Sequence, residues 1–160
     1  MDFTGKVVLV TGASRGIGRV CAKLFAERGA KVAVHYNRNQ DAAQTTLESL
    51  DGDGHIVVQA DVSDPDAVKA AVDGVVGQMG KLDVLVNNAG IFESHPIAEV
   101  SYAQWQATWT RTLATNLTGA ANMAYCAAHH MIAGGGGRII NVSSRGAFRG
   151  EPTAPAYGAS

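Results

Sequence analysis

The stretch Thr11-Gly12-Ala13-Ser14-Arg15-Gly16-Ile17-Gly18 stands between two segments whose hydrophobic patterns differ. Before it, residues 6–11 form a short, β-branched apolar run of the kind that makes a strand buried on both faces. After it, apolar residues recur at helical spacing, and Gly29 stands where a helix would end. This apolar stripe comprises Ile17, Val20, Cys21, Leu24 and Phe25. The predicted order is strand, glycine turn, helix, and it decides the fold.

A glycine turn in this position has the chemistry of a phosphate-binding site. Glycines let the backbone turn tightly and come close to a pyrophosphate, while the start of the following helix offers free N–H groups and a partial positive charge. The spacing is T-G-x-x-x-G-x-G, which differs from the common dinucleotide pattern G-x-G-x-x-G. Taken alone, the turn could also do no more than close the corner between a strand and a helix.

Length and composition limit the kinds of protein this chain can be. Its 160 residues suffice for one domain with a core and are too few for two ordinary domains. Apolar residues make up 46%, charged residues 17%, and the net charge is −1, so nothing indicates a nucleic-acid partner. The chain has no apolar leader after Met1 and no run of membrane-spanning length. We therefore expect a cytoplasmic protein with no membrane partner.

The cysteines and the histidines that could suggest a metal site lack the spacing for one. Cys21 and Cys126 lie inside helical patterns, and we interpret them as small core residues of a reduced, intracellular protein. His95, His129 and His130 have no Cys, Asp or Glu beside them at ligand spacing. We interpret these three histidines as surface or helix-end residues and predict no metal.

Strand and helix patterns alternate along the rest of the chain. Further strands are predicted at residues 31–36, 55–60, 82–87 and 138–143. A helix start is indicated at residues 63–66, by a capping side chain, a proline in the first turn and an acid three residues after Ser63. The helical stripes are Ala43, Leu47 and Leu50; Val68, Val72, Val75, Val76 and Met79; and Trp105, Trp109, Leu113, Leu117, Ala120 and Ala124, the last on one long helix from about 105 to 131. We interpret the two tryptophans as packing residues.

This alternation predicts the fold class. Crossovers of a dozen or more residues between strands imply right-handed βαβ units and a parallel sheet covered on both faces. The prediction is an α/β domain with a doubly wound parallel sheet, three-layer α/β/α and Rossmann-like. The glycine run at 134–137 precedes a strand, so it is interpreted as a helix stop and a connection, not as a nucleotide loop.

In such a fold, ligands bind at the carboxyl ends of the strands, near the point where strand order reverses. The residues there resemble those of the short-chain dehydrogenase/reductase family, in particular its 3-oxoacyl-acyl-carrier-protein reductase branch. The resemblance covers residues 3–160 and includes five of the family's seven strands. The matching motifs are the glycine turn, Asp61-Val62, Asn87-Asn88-Ala89-Gly90, Asn116-Leu117-Thr118-Gly119, and Ser144 and Tyr157 thirteen residues apart.

The resemblance implies a single dinucleotide-binding domain and assigns residues to two groups. The implied catalytic residues are Asn116, Ser144 and Tyr157. The implied cofactor-binding residues are Gly12, Ser14, Arg15, Gly16, Ile17, Gly18, Asn37, Arg38, Asp61, Val62, Asn88, Ala89 and Gly90. Asp61 would meet the adenine amino group, although it could also be a plain turn residue.

Carbonyl reduction gives these side chains physical roles. A hydride goes to carbon, a proton goes to oxygen, and hydrogen bonds hold the developing oxyanion. Tyr157 suits the proton donor and Ser144 the oxygen holder, with Ser143 a rival that only the spacing to Tyr157 sets aside. Asn116 stands on an apolar stripe, where its amide needs a backbone or water partner. It is either a satisfied structural residue or, as the family implies, part of a proton relay.

The end of the second predicted strand favours NADP over NAD as cofactor. An acidic side chain there would bind the adenosine ribose and favour NAD, but the sequence has Tyr36-Asn37-Arg38 instead. Arg38, together with Arg15 in the glycine turn, could bind a 2′-phosphate. The alternative is that both arginines are simply solvated.

The sequence departs from the family pattern after Tyr157. The family has a lysine four residues after its tyrosine, which would be position 161 here, whereas the sequence given ends at Ser160. We expect a longer chain, incomplete here at its C-terminus, that acts on a small carbonyl or alcohol substrate as a homo-oligomer, a tetramer or a dimer. Residues 1–160 alone are expected to be inactive and poorly soluble, with the fifth strand a bare sheet edge. The alternative is a non-catalytic dinucleotide-binding module or sensor.

Overall fold

A computed structural model describes all of residues 1–160 and contains one parallel sheet of five strands in the order β3-β2-β1-β4-β5. The strands are β1 Val7–Val10, β2 Lys31–Tyr36, β3 Ile56–Gln59, β4 Val84–Asn87 and β5 Arg138–Asn141. The predicted α/β class with a parallel sheet is confirmed, and β2 has the predicted bounds. Strand order reverses between β1 and β4, which places the switch point where the glycine turn leaves β1.

Helices connect the strands. They are α1 Gly16–Ala26, α2 Gln40–Glu48, α3 Pro65–Met79, α4 Tyr102–Leu113, α5 Ala120–Ala133, α6 Gly146–Arg149 and α7 Pro155–Gly158. A π-helical turn, Ala114–Gly119, joins α4 to α5. None of these helices has both the length and the apolar character needed to span a membrane.

The sheet is covered by helices over its centre and not at β5. On one face Val8 and Val10 of β1 pack with residues of α1 and α2; on the other, Val7 and Leu9 pack with residues of α3 and α5. All four β5 residues are exposed. The expected bare edge at the fifth strand is confirmed.

The buried face of α1 differs from the predicted stripe. Ile17, Val20 and Leu24 are exposed, and the fully buried positions are Gly18, Ala22 and Ala26. These small residues recur every four positions, which lets the helix axis lie close to β1 and β2. Cys21 and Phe25 pack at the edge of the same core, and Cys126 packs at the edge of the other. Both cysteines are free and partly buried, as expected.

The predicted single helix over residues 105–131 is interrupted by the π-helical turn. Leu117, predicted on its buried stripe, lies in that turn and is 52% exposed. Gly119 takes the inward place there, because a Cβ at this position would lie 2.5 Å from the carbonyl oxygen of Val62. Trp105 and Trp109 pack against each other with ring centroids 5.7 Å apart, as predicted for packing residues.

Helix α3 begins at a side-chain cap, and α5 ends at a glycine. The Asp64 carboxylate accepts hydrogen bonds from the N–H groups of Asp66 and Ala67 at the start of α3, with Pro65 in the first turn. Ser63 is therefore not the cap; its hydroxyl donates to Asp61. Helix α5 ends at Gly134, and a glycine connection leads to β5, as predicted.

Exchange of the α3 cap tests this assignment. Asp64→Ala removes the acceptor for two free N–H groups and should lower the free energy of unfolding by about 1 kcal/mol. Ser63→Ala is the matched control and should cost less than half as much, since its hydroxyl caps no helix. Urea unfolding of the two variants of the full-length protein measures the difference, and equal losses would contradict the assignment.

Candidate active site

Hydrogen bonds between the ends of β1 and β4 form the centre of the site. The Thr11 hydroxyl oxygen accepts the N–H groups of Asn88 and Ala89, both at 2.9 Å, and donates to the Val86 carbonyl at 3.3 Å. The Asn88 side chain donates to the carbonyls of Thr11 and Gly12, at 2.8 and 3.3 Å. We call this set the Thr11–Asn88 clasp. It holds the glycine turn and the N-N-A-G segment as one unit.

The glycines of the turn are required by conformation and by space. Gly12 and Gly16 have φ of +64° and +56°, in the left-handed region that favours glycine. A Cβ on Gly18 would lie 2.5 Å from both the Asn88 amide nitrogen and the Gly12 carbonyl oxygen. Helix α1 starts here with no side-chain cap and no acid in its first turn, so its free N–H groups are available to an anion.

Two side chains outside residues 11–18 form hydrogen bonds with the glycine turn. Arg19 donates to the Ser14 carbonyl at 2.6 Å and to the Thr46 hydroxyl at 2.9 Å, which fixes the turn to α2. His35, in β2, accepts the Gly12 N–H at Nδ1, at 3.1 Å. His35 is 1% exposed and its Nε2 has no hydrogen-bond partner. Burial lowers the pKa of His35 to about 4, against smaller opposing effects of the Ala60 backbone and the Asp61 charge.

The residues at the ends of β2 and β3 form a second polar group. The Asp61 carboxylate accepts hydrogen bonds from the Ser63 hydroxyl and N–H, at 2.6 and 2.9 Å. These bonds, followed by the Asn37 side chain and the Arg38 charge, hold the pKa of Asp61 below its usual value. Asn37 and Arg38 are exposed, whereas the Val62 side chain is buried in the core.

A cleft of about 620 Å³ lies on the β4–β5 side of the glycine turn. All three predicted catalytic residues, Asn116, Ser144 and Tyr157, line it, and so does Ser143. Of the predicted cofactor-binding residues, the cleft is lined by Ile17, Asn88, Ala89 and Gly90. The remaining ones lie in the glycine turn, including the exposed Arg15, or in the Asp61 group. The structure thus brings the predicted residues together as two neighbouring groups, not one.

Asn116 lies in the π-helical turn and its amide has backbone partners. Its side-chain oxygen accepts the Ile91 N–H at 2.8 Å, and its nitrogen donates to the Ile91 carbonyl at 3.0 Å. The same nitrogen donates to the Ser160 hydroxyl at 3.0 Å, which in turn donates to the Tyr157 carbonyl at 3.0 Å. The expected backbone partner is confirmed, and a polar chain connects Asn116 to the backbone of Tyr157.

Ser144 lies in the connection between β5 and α6, and Tyr157 lies on α7. The Ser144 hydroxyl accepts the Gly146 N–H at 3.3 Å, at the start of α6. The Tyr157 ring, on α7, packs edge-on against Phe92 with centroids 5.0 Å apart. Ser143 is exposed and Ser144 is half-buried. Both residues line the cleft.

The interpretation of His95 as a surface residue is wrong. His95 is 1% exposed and hydrogen-bonds through both ring nitrogens. His129 is exposed, and His130 pairs with Asp73 at 2.7 Å near the end of α5, as predicted for helix-end residues. Sequence reasoning also assigned no role to His35 or Arg19. For His35, the signal in the sequence was its position as a single polar residue within the apolar run of β2. For Arg19, no comparable signal was present.

Comparisons with known proteins place this geometry among its relatives. The profile of a family described as short chain dehydrogenase matches residues 6–160. A short-chain type dehydrogenase/reductase of Picea abies is 42% identical over 98% of this chain and 60% of its own length. A D-threitol dehydrogenase of Mycolicibacterium smegmatis is 39% identical over 89% of this chain and 54% of its own length. A 3-oxoacyl-[acyl-carrier-protein] reductase of Staphylococcus aureus is 41% identical over 92% of this chain and 59% of its own length.

A crystal structure agrees with these sequence matches. It is that of a protein assigned as a short-chain alcohol dehydrogenase from Sinorhizobium meliloti, with a TM-score of 0.88 and 38% identity. The match covers 99% of this chain and 62% of that one. This chain therefore spans about 54 to 62% of the length of the proteins it matches.

Because the His35 imidazole is buried, we expect the free energy of unfolding to fall in acid. Because the pKa of His35 falls from 6.5 to about 4 on folding, the unfolded chain binds the proton more tightly. The stability that His35 contributes is complete above pH 6.5 and is lost as the pH falls towards 4, a loss of about 3 kcal/mol.

His35→Asn keeps an acceptor for the Gly12 N–H and does not titrate. Urea unfolding at pH 7 and pH 4.5 should show a smaller acid loss in this variant of the full-length protein than in the wild type. His129→Asn, at an exposed histidine, is the control and should follow the wild type. An unchanged acid loss in the His35 variant would overturn the assignment.

Proposed function

The chain belongs to the short-chain dehydrogenase/reductase family, and on that premise we propose that the full-length protein is an NADP-dependent oxidoreductase. It would transfer a hydride between NADP(H) and a carbonyl or alcohol carbon. The observation that carries the proposal is the convergence of Asn116, Ser144 and Tyr157 on one cleft beside Gly90. The same residues reach that cleft from the π-helical turn, the β5–α6 connection and α7.

The glycine turn has the properties that a dinucleotide pyrophosphate needs. Gly18 and Gly12 leave no room for a side chain against Asn88 and Ala89, so the backbone there is bare. The uncapped start of α1 supplies free N–H groups without a competing acid. These residues would hold the pyrophosphate, and a bound nicotinamide would supply or accept the hydride. Asn88, Ala89 and Gly90 carry the site on into the cleft.

The charges beside the Asp61 group support NADP over NAD. Arg15 and Arg38 are exposed and neither is held in an ion pair. No acid stands at the end of β2, where a carboxylate would bind a ribose hydroxyl. Asp61 is ionised and already bonded to Ser63, and its carboxylate would accept the adenine amino group. Since the Val62 side chain is buried, any contact with adenine there runs through its backbone.

Proton transfer and oxygen binding fall to the hydroxyls of the cleft. Tyr157 would donate its proton to the carbonyl oxygen in reduction and take it back in oxidation. Ser144 would donate a hydrogen bond to that oxygen as negative charge develops on it. Asn116 would hold the π-helical turn against Ile91 and, through Ser160, support the backbone of Tyr157. The family resemblance implies that it also takes part in a proton relay.

The cysteines and the exposed face of α5 support a proposal on location and assembly. Both cysteines are free, which fits a reducing compartment such as the cytoplasm. Tyr125 and Ile132 on α5 are 67% and 78% exposed, which fits a homo-oligomer built on that helix. The relatives named above act on a polyol or on an acyl-carrier-protein thioester, so candidate substrates include both classes.

The first test removes the proton donor. In the full-length protein, Tyr157→Phe should lower kcat for NADPH-dependent reduction of acetoacetyl-coenzyme A, or for D-threitol oxidation, by roughly 100- to 10,000-fold. Tyr102→Phe, at a 75% exposed tyrosine, is the control and should retain full activity. Nucleotide binding without turnover by the wild type would favour the non-catalytic module instead.

The second test concerns cofactor choice. Replacing Arg15 and Arg38 together by Ala should raise the KM for NADPH by about 10- to 100-fold, since each guanidinium would make charge-assisted bonds to the 2′-phosphate. The KM for NADH should stay within about twofold, because that ribose carries no phosphate. Arg28→Ala, at another exposed arginine, is the control. Equal changes for both cofactors would count against a 2′-phosphate site.

A further inference from the structure

The loop between β4 and α4 carries a buried histidine that no catalytic role explains. His95 packs edge-on against Trp105, with ring centroids 5.4 Å apart, and is shielded from solvent. Its backbone N–H donates to the Thr153 carbonyl at 2.7 Å, and the Ser94 hydroxyl donates to the same carbonyl at 3.3 Å. This part of the loop therefore lies directly against the segment that leads into α7.

The partners of the ring determine where its proton lies. Nε2 is 3.2 Å from the backbone nitrogen of Ala156, whose N–H can only donate, so Nε2 must carry the lone pair. Nδ1 is 2.7 Å from the Glu93 carbonyl, which can only accept, so Nδ1 must carry the proton. Both bonds require a neutral imidazole with its proton on Nδ1. The ring then acts as an acceptor toward Ala156.

The short helix α7 has no local residue that could supply this acceptor. Its N-cap, Ala154, has no polar side chain, and Pro155 at the first position has no N–H. The Tyr157 N–H is bonded to the Ala154 carbonyl at 3.0 Å. The Ala156 N–H has His95 as its hydrogen-bond partner, 61 residues away in sequence, and Ala156 is fully buried. An unmet N–H there would cost on the order of 1–3 kcal/mol.

The same loop also holds the Tyr157 ring and is itself anchored. Phe92 packs against Tyr157, and the Glu93 carboxylate pairs with Arg111 of α4 at 2.7 Å. The loop thus contacts both the ring of Tyr157 and the N–H of the residue before it. The loop is thus tied to α4 by an ion pair and to the start of α7 by hydrogen bonds.

We propose that His95 is a positioning residue for Tyr157: its Nε2 caps α7 from a distant loop and thereby sets where the phenol stands in the cleft. The proposal rests on the catalytic role proposed for Tyr157. A displacement of the phenol by about 1 Å can slow the chemical step up to about 100-fold without weakening cofactor binding.

Two variants of the full-length protein separate the two hydrogen bonds of the ring. His95→Gln puts an acceptor oxygen about as far from the backbone as Nε2 and cannot titrate. His95→Asn keeps a donor for the Glu93 carbonyl and is too short to reach Ala156. We expect the Gln variant to retain kcat within about threefold, and the Asn variant to lose at least tenfold in kcat. The dissociation constant for NADPH should not change in either.

Amide hydrogen exchange gives a readout that does not require activity. The peptide over residues 153–160 should lose protection in the Asn variant and keep it in the Gln variant, while the peptide over residues 7–26 stays as in the wild type. If the wild type shows no turnover, the proposed function fails, and exchange still decides the role of His95. Equal kcat in both variants, or unchanged exchange in the Asn variant, would overturn the proposal.

The wild-type protein offers a third measurement, which is independent of whether the variants fold. Long-range nitrogen–proton NMR of protein labelled at histidine reports which ring nitrogen carries the proton. We expect one buried histidine with its proton on Nδ1 whose resonance is assigned to His95 by its disappearance in the Gln variant or, if that variant is unstable, by through-space contacts to Trp105. A proton found on Nε2 would overturn the proposal.

Discussion

The Thr11–Asn88 clasp is the constraint on which the rest of the site depends. At the switch point, the crossovers from β1 and β4 leave the sheet in opposite directions and open a crevice. Two loops that leave in opposite directions have no backbone ladder between them, so side chains must hold them together. Thr11 does this with one hydroxyl that accepts two N–H groups and donates once. The Asn88 side chain donates hydrogen bonds to the Thr11 and Gly12 carbonyls of the glycine turn.

Tight packing around the clasp explains the small residues nearby. Gly18 touches Asn88 so closely that no Cβ fits, and the next buried positions of α1 are Ala22 and Ala26. The helix therefore approaches the sheet along a stripe of small side chains, and its larger apolar residues point elsewhere. His35 in β2 also holds the glycine turn, because its ring accepts the Gly12 N–H. Burial keeps this imidazole neutral by lowering its pKa.

The sequence predicts the fold well because its signals there are local. A change of period at the glycine turn, the β-branched runs and the proline-led start of α3 each depend on neighbouring residues. The face of α1 could not be predicted from hydrophobicity, because the distance to the sheet favours Ala22 and Ala26 over the more apolar Val20 and Leu24. His95 was misplaced for a related reason. Its buried ring accepts a hydrogen bond from Ala156, which lies 61 residues later in the chain.

The π-helical turn has a consequence for how this protein can vary in length. An α-helix rotates by about 100° per residue, so the face that any helix presents depends on how many residues precede it. Here α4 packs against α7 while α5 packs against β4 and α3, and Asn116 lies in the wide turn between them. Loss of one residue between Ala114 and Gly119 would put the two helices out of phase by about a quarter turn. The packing of both α4 and α5 is thus kept only while the number of residues in this turn stays fixed.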